Sequence, residues 1–319
     1  MSWGAPQVAM LPDGARLHLH HGPIDLIVWA DPGGRAAAFS AAVARFRVVL
    51  EELVAELPLL RSAAPVQVQE AVAWRMAAAV APFAAMAGPL LPSDPLTPSL
   101  PPVRAEGGAF PVGAAPGTAR PESPTFITPM AAVAGAVADE VLAAMTAAVP
   151  LTKAWVNNGG DIAFHLTGDA TMTALMAGGR ATIRAGDPVR GIATSGWQGR
   201  SQSLGIADAV TVLAATGAMA DAAATMIANA VDLPPDHPGH PAVTRRPAVE
   251  VKADSDLGHR LVTVGVAPLP PADRALALSR GLAAARAYAR AGLIHAAHLT
   301  LQGETRATEP LPTPEPAHA

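Results

Sequence analysis

Ala154-Trp155-Val156-Asn157-Asn158-Gly159-Gly160-Asp161-Ile162-Ala163-Phe164-His165-Leu166 opens a stretch that runs on to Ser195. It is broken at short intervals by Gly168-Asp169, Gly178-Gly179 and Gly186-Asp187. Glycine beside Asn, Asp or a second glycine supplies the positive φ that tight hairpins need, so the stretch predicts several strands joined antiparallel. Around it, strands and helices come in clusters without strict alternation. That pattern favours an α+β protein over a doubly wound parallel sheet.

Upstream, Arg16 to Ala30 alternates around Leu17, Leu19, Ile24, Leu26 and Val28, with Gly22-Pro23 in the middle, and predicts a two-stranded hairpin. Phe39, Val43, Phe46, Leu50, Leu53 and Leu57 then recur at spacings of three and four, predicting an amphipathic helix that Pro58 stops. Ala71 to Leu91 predicts a buried amphipathic helix, and Pro129 to Ala148 a small-residue helix with Thr128 as its N-cap. Downstream, Ala209 to Ala214 predicts a strand, Gly217 to Val231 an alanine-rich helix, Val249 to Val266 strand, and Ala272 to Gly292 a closing helix.

Half of the 319 residues are apolar, much of that alanine, with one Tyr and six Phe, so the core is built from small side chains in close contact. A net charge of −4 points away from nucleic acid and anionic membranes. The absence of Cys removes disulfides, thiolate metal sites and cysteine nucleophiles. Met1 to His20 contains no apolar signal core, and Arg75, Pro82 and Gly88 interrupt the apolar run from Ala71 to Leu91, so the expectation is a soluble, cytoplasmic chain with no membrane span. Between Gly88 and Pro124, prolines recur without hydrophobic periodicity, which predicts a long mobile loop, a lid or an inert insertion. The tail 307–319 is Pro-rich in the same way and predicts disorder.

Four groups of residues could carry chemistry. Asp221, Thr225 and Asn229 stand at i, i+4 and i+8 of a helix that is otherwise Ala, Met and Ile, and so share one face. Asp and Thr oxygens one turn apart suit a hard cation such as Mg2+, and helix capping with inter-helix hydrogen bonds explains the stripe as well. The turn Asn157-Asn158-Gly159-Gly160-Asp161 lets backbone N–H groups approach a phosphate or a ring edge, or is an ordinary hairpin turn. Thr194-Ser195-Gly196, with Arg200, Ser203 and Gly205 just beyond, combines hydroxyls, glycines and one guanidinium as an anion cradle or a polar surface loop. Asp208, at the head of an apolar strand, is a second acidic ligand, a general base or a solvent-facing turn residue. His18 with His20, and His237 with His240, lack a third nearby metal ligand.

Ala220-Asp221-Ala222-Ala223-Ala224-Thr225 resembles the Ala-Asp-Ala-x-x-Thr motif of the ApbE superfamily, whose founding members are Mg2+-dependent FAD:protein FMN transferases. Asn158 to Asp161, Thr194 to Gly196 and Val210 to Val212 follow in the order found there. Thr128 to Gly135, Gly199 to Ser201, Gly205 to Thr211 and Asp254 to Gly258 resemble more closely an uncharacterised branch, protein family 0280. The resemblance implies a T-fold-like α+β architecture of mostly antiparallel sheets packed with helices. It assigns residues 1–86 and 125–306 to one ApbE-like domain, with 87–124 as an insertion. It also implies Mg2+ on Asp221 and Thr225, with FAD or a related nucleotide walled by Asn158 to Asp161 and Thr194 to Gly196; the turn and cradle readings above add Asn157, Arg200, Ser203 and Gly205 to the nucleotide-seating residues.

Before the Val-Thr-Val strand the transferases carry a histidine segment resembling His-Ile-x-Asp-Pro. Ser203 to Asp208 is shorter and has no histidine, which leaves Asp208 as the first candidate for a base. Two readings follow: Mg2+-assisted pyrophosphate or phosphoryl transfer from a flavin nucleotide, or a non-catalytic nucleotide-binding or accessory protein, one linked to sulfur assimilation included. Small-residue helices and exposed strands suit a homodimer.

Overall fold

A computed structural model of the chain describes residues 4–86, 126–176, 179–199 and 201–308. The Pro-rich segment, Gly178, Arg200 and the tail beyond 308 lie outside those residues. Thirteen strands and seven α-helices are described: β1 (Gln7–Met10), β2 (Arg16–His21), β3 (Ile24–Ala30), α1 (Arg35–Ala55), α2 (Leu57–Leu60), α3 (Ala71–Met86), α4 (Val133–Ala148), β4 (Lys153–Asn158), β5 (Asp161–Leu166), β6 (Thr171–Met176), β7 (Gly179–Arg184), β8 (Gly191–Ser195), β9 (Ala209–Ala214), α5 (Gly217–Ala230), β10 (Val243–Pro247), α6 (Ala248–Val251), β11 (Leu261–Val266), α7 (Pro271–Arg290), β12 (Ala296–Leu301) and β13 (Glu304–Ala307).

Nine strands form one sheet in the order β1-β2-β3-β4-β5-β8-β9-β12-β13, and every neighbouring pair is antiparallel. The fold is therefore α+β, as the glycine turns predict. The strands before the Pro-rich segment join those after it through the β3–β4 pair, Val28 opposite Val156. One face of the sheet carries α1, α4, α5 and α7, the last against β12 and β13, with α3 packed behind them. Alternation along each strand feeds that layer: Leu17, Leu19, Leu26, Val28, Val156, Ala163, Ala193, Val210 and Val212 are all buried in the main core. On the other face the β6–β7 ribbon covers a smaller core of Phe164, Leu166, Ile192 and Leu213. The apolar stretch 129–148, which has the length and composition of a membrane span, is nearly half buried and packs on α1, α3 and α5.

Several boundaries differ from the sequence reading. Pro58 does not merely end α1: it sits in the first turn of the short α2, where its missing N–H costs nothing. Thr128 precedes a 3-10 turn (Pro129–Ala132) and does not cap it; its hydroxyl donates instead to Asp256 Oδ2, 2.5 Å away. Residues 249–266 are not one strand, because α6 and a run of turns precede β11. β1, β10, β12 and β13 are additional, and Ala307 closes the last strand instead of opening a tail.

Candidate functional site

The helices α4 and α5 cross at glycine. A Cβ built on Gly135 would lie 2.2 Å from Gly217 O, so the two backbones touch there and no side chain fits. This contact sets the first turns of both helices side by side, with their positive dipole ends together. Each end is closed by a carboxylate from the other helix. Asp139, on α4, accepts from Gly217 N at 2.9 Å and Ala218 N at 2.8 Å, at the start of α5. Asp221, on α5, accepts from Gly135 N at 3.1 Å, in the first turn of α4. Thr216 completes the α5 cap by accepting from Met219 N.

The β4–β5 turn and the end of β8 reach the same place. Asn158 Nδ2 donates to Ala134 O at 3.1 Å, and Asp161 Oδ1 accepts from Thr194 N at 3.2 Å. Asn157 Oδ1 accepts from Gly160 N, and Gly159 and Gly160 both have positive φ, which explains why the turn uses glycine. Thr194 Oγ1 and Thr211 Oγ1 share a hydrogen bond of 2.9 Å across β8 and β9.

Three carboxylates therefore lie close together. Burial pushes the Asp221 carboxyl well above the ordinary range, and the negative charge of Asp161 pushes it further. Burial likewise raises Asp139 from 3.8 to about 6, against the pull of the Ala218 and Gly217 N–H groups. Thr225 stands one turn beyond Asp221 and is half-buried. Its hydroxyl makes no hydrogen bond among the described residues. By contrast Thr146, inside α4, bonds back to Leu142 O and Ala143 O as mid-helix threonines usually do.

Not all the predicted residues gather here. Asn229, at the far end of the stripe, accepts from Ser203 Oγ and Leu204 N. A Cβ on Gly205 would lie 2.1 Å from Ala228 O. Ser203 and Gly205 thus fasten their loop to the C-terminal end of α5, roughly 12 Å along the helix from Asp221 at 1.5 Å per residue. Ser195 ends β8 opposite Val210, and a Cβ on Gly196 would lie 2.3 Å from Asp208 O. Both Asp208 oxygens are engaged, Oδ1 by Trp197 Nε1 at 3.2 Å and Oδ2 by Gln302 N at 2.5 Å. No group of three His, Asp or Glu side chains suited to a metal occurs among the described residues; the Asp221–Thr225 pair would depend on ligand or water oxygens. His18 pairs with Asp25 at 2.8 Å and His240 with Arg245 at 2.8 Å, so neither histidine group forms a centre.

Asp139 and Thr211 were not singled out from the sequence. The signal for Asp139 is its place four residues after Gly135 inside an apolar helix, where a carboxylate needs a partner.

The architecture is that of an antiparallel α+β protein whose polar residues collect at a glycine crossing of two helices. The family model described as "AbpE bacteria" matches residues 8–90 and 96–307, and the chain belongs to this family. Its relatives include a UPF0280 protein of Methanococcoides burtonii, 40% identical over 114 residues, which are 34% of this chain and 47% of that protein. A second, the UPF0280 protein MJ1526 of Methanocaldococcus jannaschii, is 36% identical over 113 residues, 33% of this chain and 45% of that protein. The chain thus spans about half the length of the curated relatives it matches. Among solved structures it is similar to the apo flavinyl transferase ApbE of Pseudomonas stutzeri, with a TM-score of 0.44, 12% identity and 96% of each chain covered. It is also similar to a variant of the flavin transferase ApbE from Vibrio cholerae, with a TM-score of 0.41, 15% identity and coverage of 95% and 97%.

Proposed function

We propose that this ApbE-like protein binds FAD or a related nucleotide together with Mg2+ at the α4–α5 crossing, and transfers an FMN-type phosphoryl group from it to a small-molecule or protein acceptor. The transfer breaks the pyrophosphate bond, with AMP as the leaving group. The observation that carries this reading is the pairing of Asp161 with Asp221 at a place where both helix dipoles are already neutralised. The anion seats at the two helix N-termini are filled by Asp139 and Asp221. A phosphate approaching them meets carboxylates, so a cation is needed between the two. The donors suit a hard ion: Asp221 and Thr225 offer oxygen, with Asp161 beside them.

Asp221 and Thr225 would hold the ion, and Mg2+ would neutralise charge on the pyrophosphate. The chain's own part is positioning. Asp161 ties β8 to the turn through Thr194 N, and Asn158 ties the turn to α4 through Ala134 O, which keeps the wall of the site rigid. Arg200 is a further candidate for seating the anion.

The engagement of both Asp208 oxygens favours a second reading, in which the protein binds a nucleotide without turning it over. Calorimetry with FAD, FMN and AMP, with and without Mg2+, tests the binding claim. The expected outcome is nucleotide binding that requires Mg2+, with the gain abolished in Asp221→Asn, which keeps the side-chain shape. Equal affinity with and without the metal, or an unchanged gain in the variant, overturns it. Release of AMP from FAD supports transfer; binding without release supports the second reading.

A further inference from the structure

His298, on β12, is only 5% exposed, and its Nδ1 is buried without a hydrogen bond. Burial pushes the imidazole below its ordinary value, so the ring is neutral at neutral pH. His298 stands opposite Thr211 on β9, and Thr211 stands opposite Thr194 on β8. Their neighbours Ala193, Val210, Val212, Ala297 and Leu299 all enter the core under the helices. The three polar residues therefore form one row on the other face of the sheet, the face that carries the β6–β7 ribbon. Side chains directly opposite each other have Cβ atoms about 5 Å apart, which sets the imidazole beside the Thr211 hydroxyl.

The hydrogen-bond inventory of the row does not close. Thr194 and Thr211 carry two hydroxyl protons and share one bond, 2.9 Å between their Oγ1 atoms. When Thr194 donates in that bond, the Thr211 proton lacks an acceptor, and the Nδ1 beside it lacks a donor. The row opens to solvent at one end: Thr211 is buried, whereas Thr194 is exposed and its N–H donates to Asp161, whose charge acts on Asp221. A Cβ on Gly160, in the turn before Asp161, would meet nothing within 4 Å, so no side chain crowds that end. The charged groups near the row are turned elsewhere. Asp208, ahead of β9, has both oxygens engaged, and Glu304 and Arg306 on β13 stand opposite Leu301 and Leu299, on the helix face.

We infer that Thr194, Thr211 and His298 form a proton relay for the acceptor, in which Thr194 touches the acceptor and His298 acts through Thr211. The inference rests on the transfer reading of the site and supplies the base that the engaged Asp208 does not. The acceptor's hydroxyl oxygen attacks the FMN-side phosphorus of FAD, the pyrophosphate bond breaks, and AMP leaves with the electron pair. The acceptor's proton passes to Thr194 Oγ1, that of Thr194 to Thr211 Oγ1, and that of Thr211 to His298 Nδ1, which ends as imidazolium.

Release of AMP from FAD and Mg2+ by the full chain, with water as the acceptor, is followed from acid to neutral pH. The wild-type kcat is expected to fall on acidification as His298 takes a proton from solvent. His298→Gln is expected to lose that limb and to be slower by about a hundredfold at neutral pH, the low end for a positioned base. Thr211→Val should match it, and Thr211→Ser, which keeps the hydroxyl, should restore both rate and limb. Calorimetry should show unchanged Mg2+-dependent FAD affinity in all three variants, because none of these side chains touches the nucleotide or the ion. A wild-type rate and limb in His298→Gln overturn the relay and leave the transfer reading standing. Thr211→Ser as slow as Thr211→Val makes the row mere packing and overturns it too. A wild type that binds FAD with Mg2+ but releases no AMP removes the transfer reading and the relay with it.

Discussion

Asp139 and Asp221 each cap the helix that carries the other: Asp139 accepts from Gly217 N and Ala218 N at the start of α5, and Asp221 from Gly135 N in the first turn of α4. The exchange is possible only because Gly135 and Gly217 let the helices touch, which brings each N-terminus within reach of the opposite side chain. Two half-buried carboxylates are thereby held mainly by N–H groups and dipoles, with Arg75 adding a smaller attraction at Asp139.

The first prediction concerns that crossing. In Gly135→Ala the new methyl would sit 2.2 Å from Gly217 O, a backbone atom that cannot swing aside. The helices must separate, both caps lengthen, and a loss of roughly 3 kcal/mol or more is expected, at the severe end for single substitutions. Gly33→Ala is the control, because a Cβ there meets nothing within 4 Å and its φ is not positive. It should change stability by less than about 1 kcal/mol. Urea denaturation of the two variants checks the contrast.

The second prediction is a pH dependence. The Asp139 carboxyl is raised from 3.8 to about 6 by burial. Between those values the folded chain holds a proton that the unfolded chain has released. Its contribution is therefore fully present below pH 3.8 and is lost as pH rises towards about 6. Integrated over the shift, that loss is at most about 3 kcal/mol. Asp139→Asn does not titrate, so its stability should decline less than the wild type's across this window. A thermal-midpoint series from acid to neutral pH in both proteins measures the difference. Identical slopes would show that Asp139 does not carry it.

Part of the sheet was legible because tight turns advertise themselves: Asn158-Gly159-Gly160 joins the paired strands β4 and β5. Gly168-Asp169 and Gly186-Asp187, expected to be antiparallel turns, instead lead into and out of the separate β6–β7 ribbon and join no paired strands. β1 and β10 were not legible. Gln7 to Met10 is short and exposed throughout, with no buried face to imprint an alternation, and Val243 to Pro247 mixes two arginines with a proline. The helix α5 was legible to within a residue, and so was its stripe. What the stripe touches was not, since Asp221 answers to Gly135 and Asn229 to Leu204, contacts set by tertiary packing. The same holds for Thr128, which looked like a cap until Asp256 arrived from the far end of the chain. Residue spacing places side chains on a face; it does not say which other segment comes to that face.

The last prediction separates the two members of the proposed metal pair. Asp221 has a structural duty at Gly135, so a variant there disturbs α4 as well as any ion. Thr225 has none: its hydroxyl makes no hydrogen bond among the described residues, and it stands one turn from Asp221 on the same face. Thr225→Val removes the oxygen and keeps the shape. Stability should stay within about 0.5 kcal/mol of wild type, as for substitutions that break no contact. Mg2+-dependent nucleotide affinity should fall about tenfold, the equivalent of one hydrogen bond to a charged group. Calorimetry beside a denaturation curve reads both quantities on one preparation. Affinity that survives unchanged in Thr225→Val while Asp221→Asn abolishes it would remove Thr225 from the metal and leave the carboxylate alone. Stability lost in Thr225→Val with the Mg2+ gain intact would instead make the hydroxyl a packing element of α5.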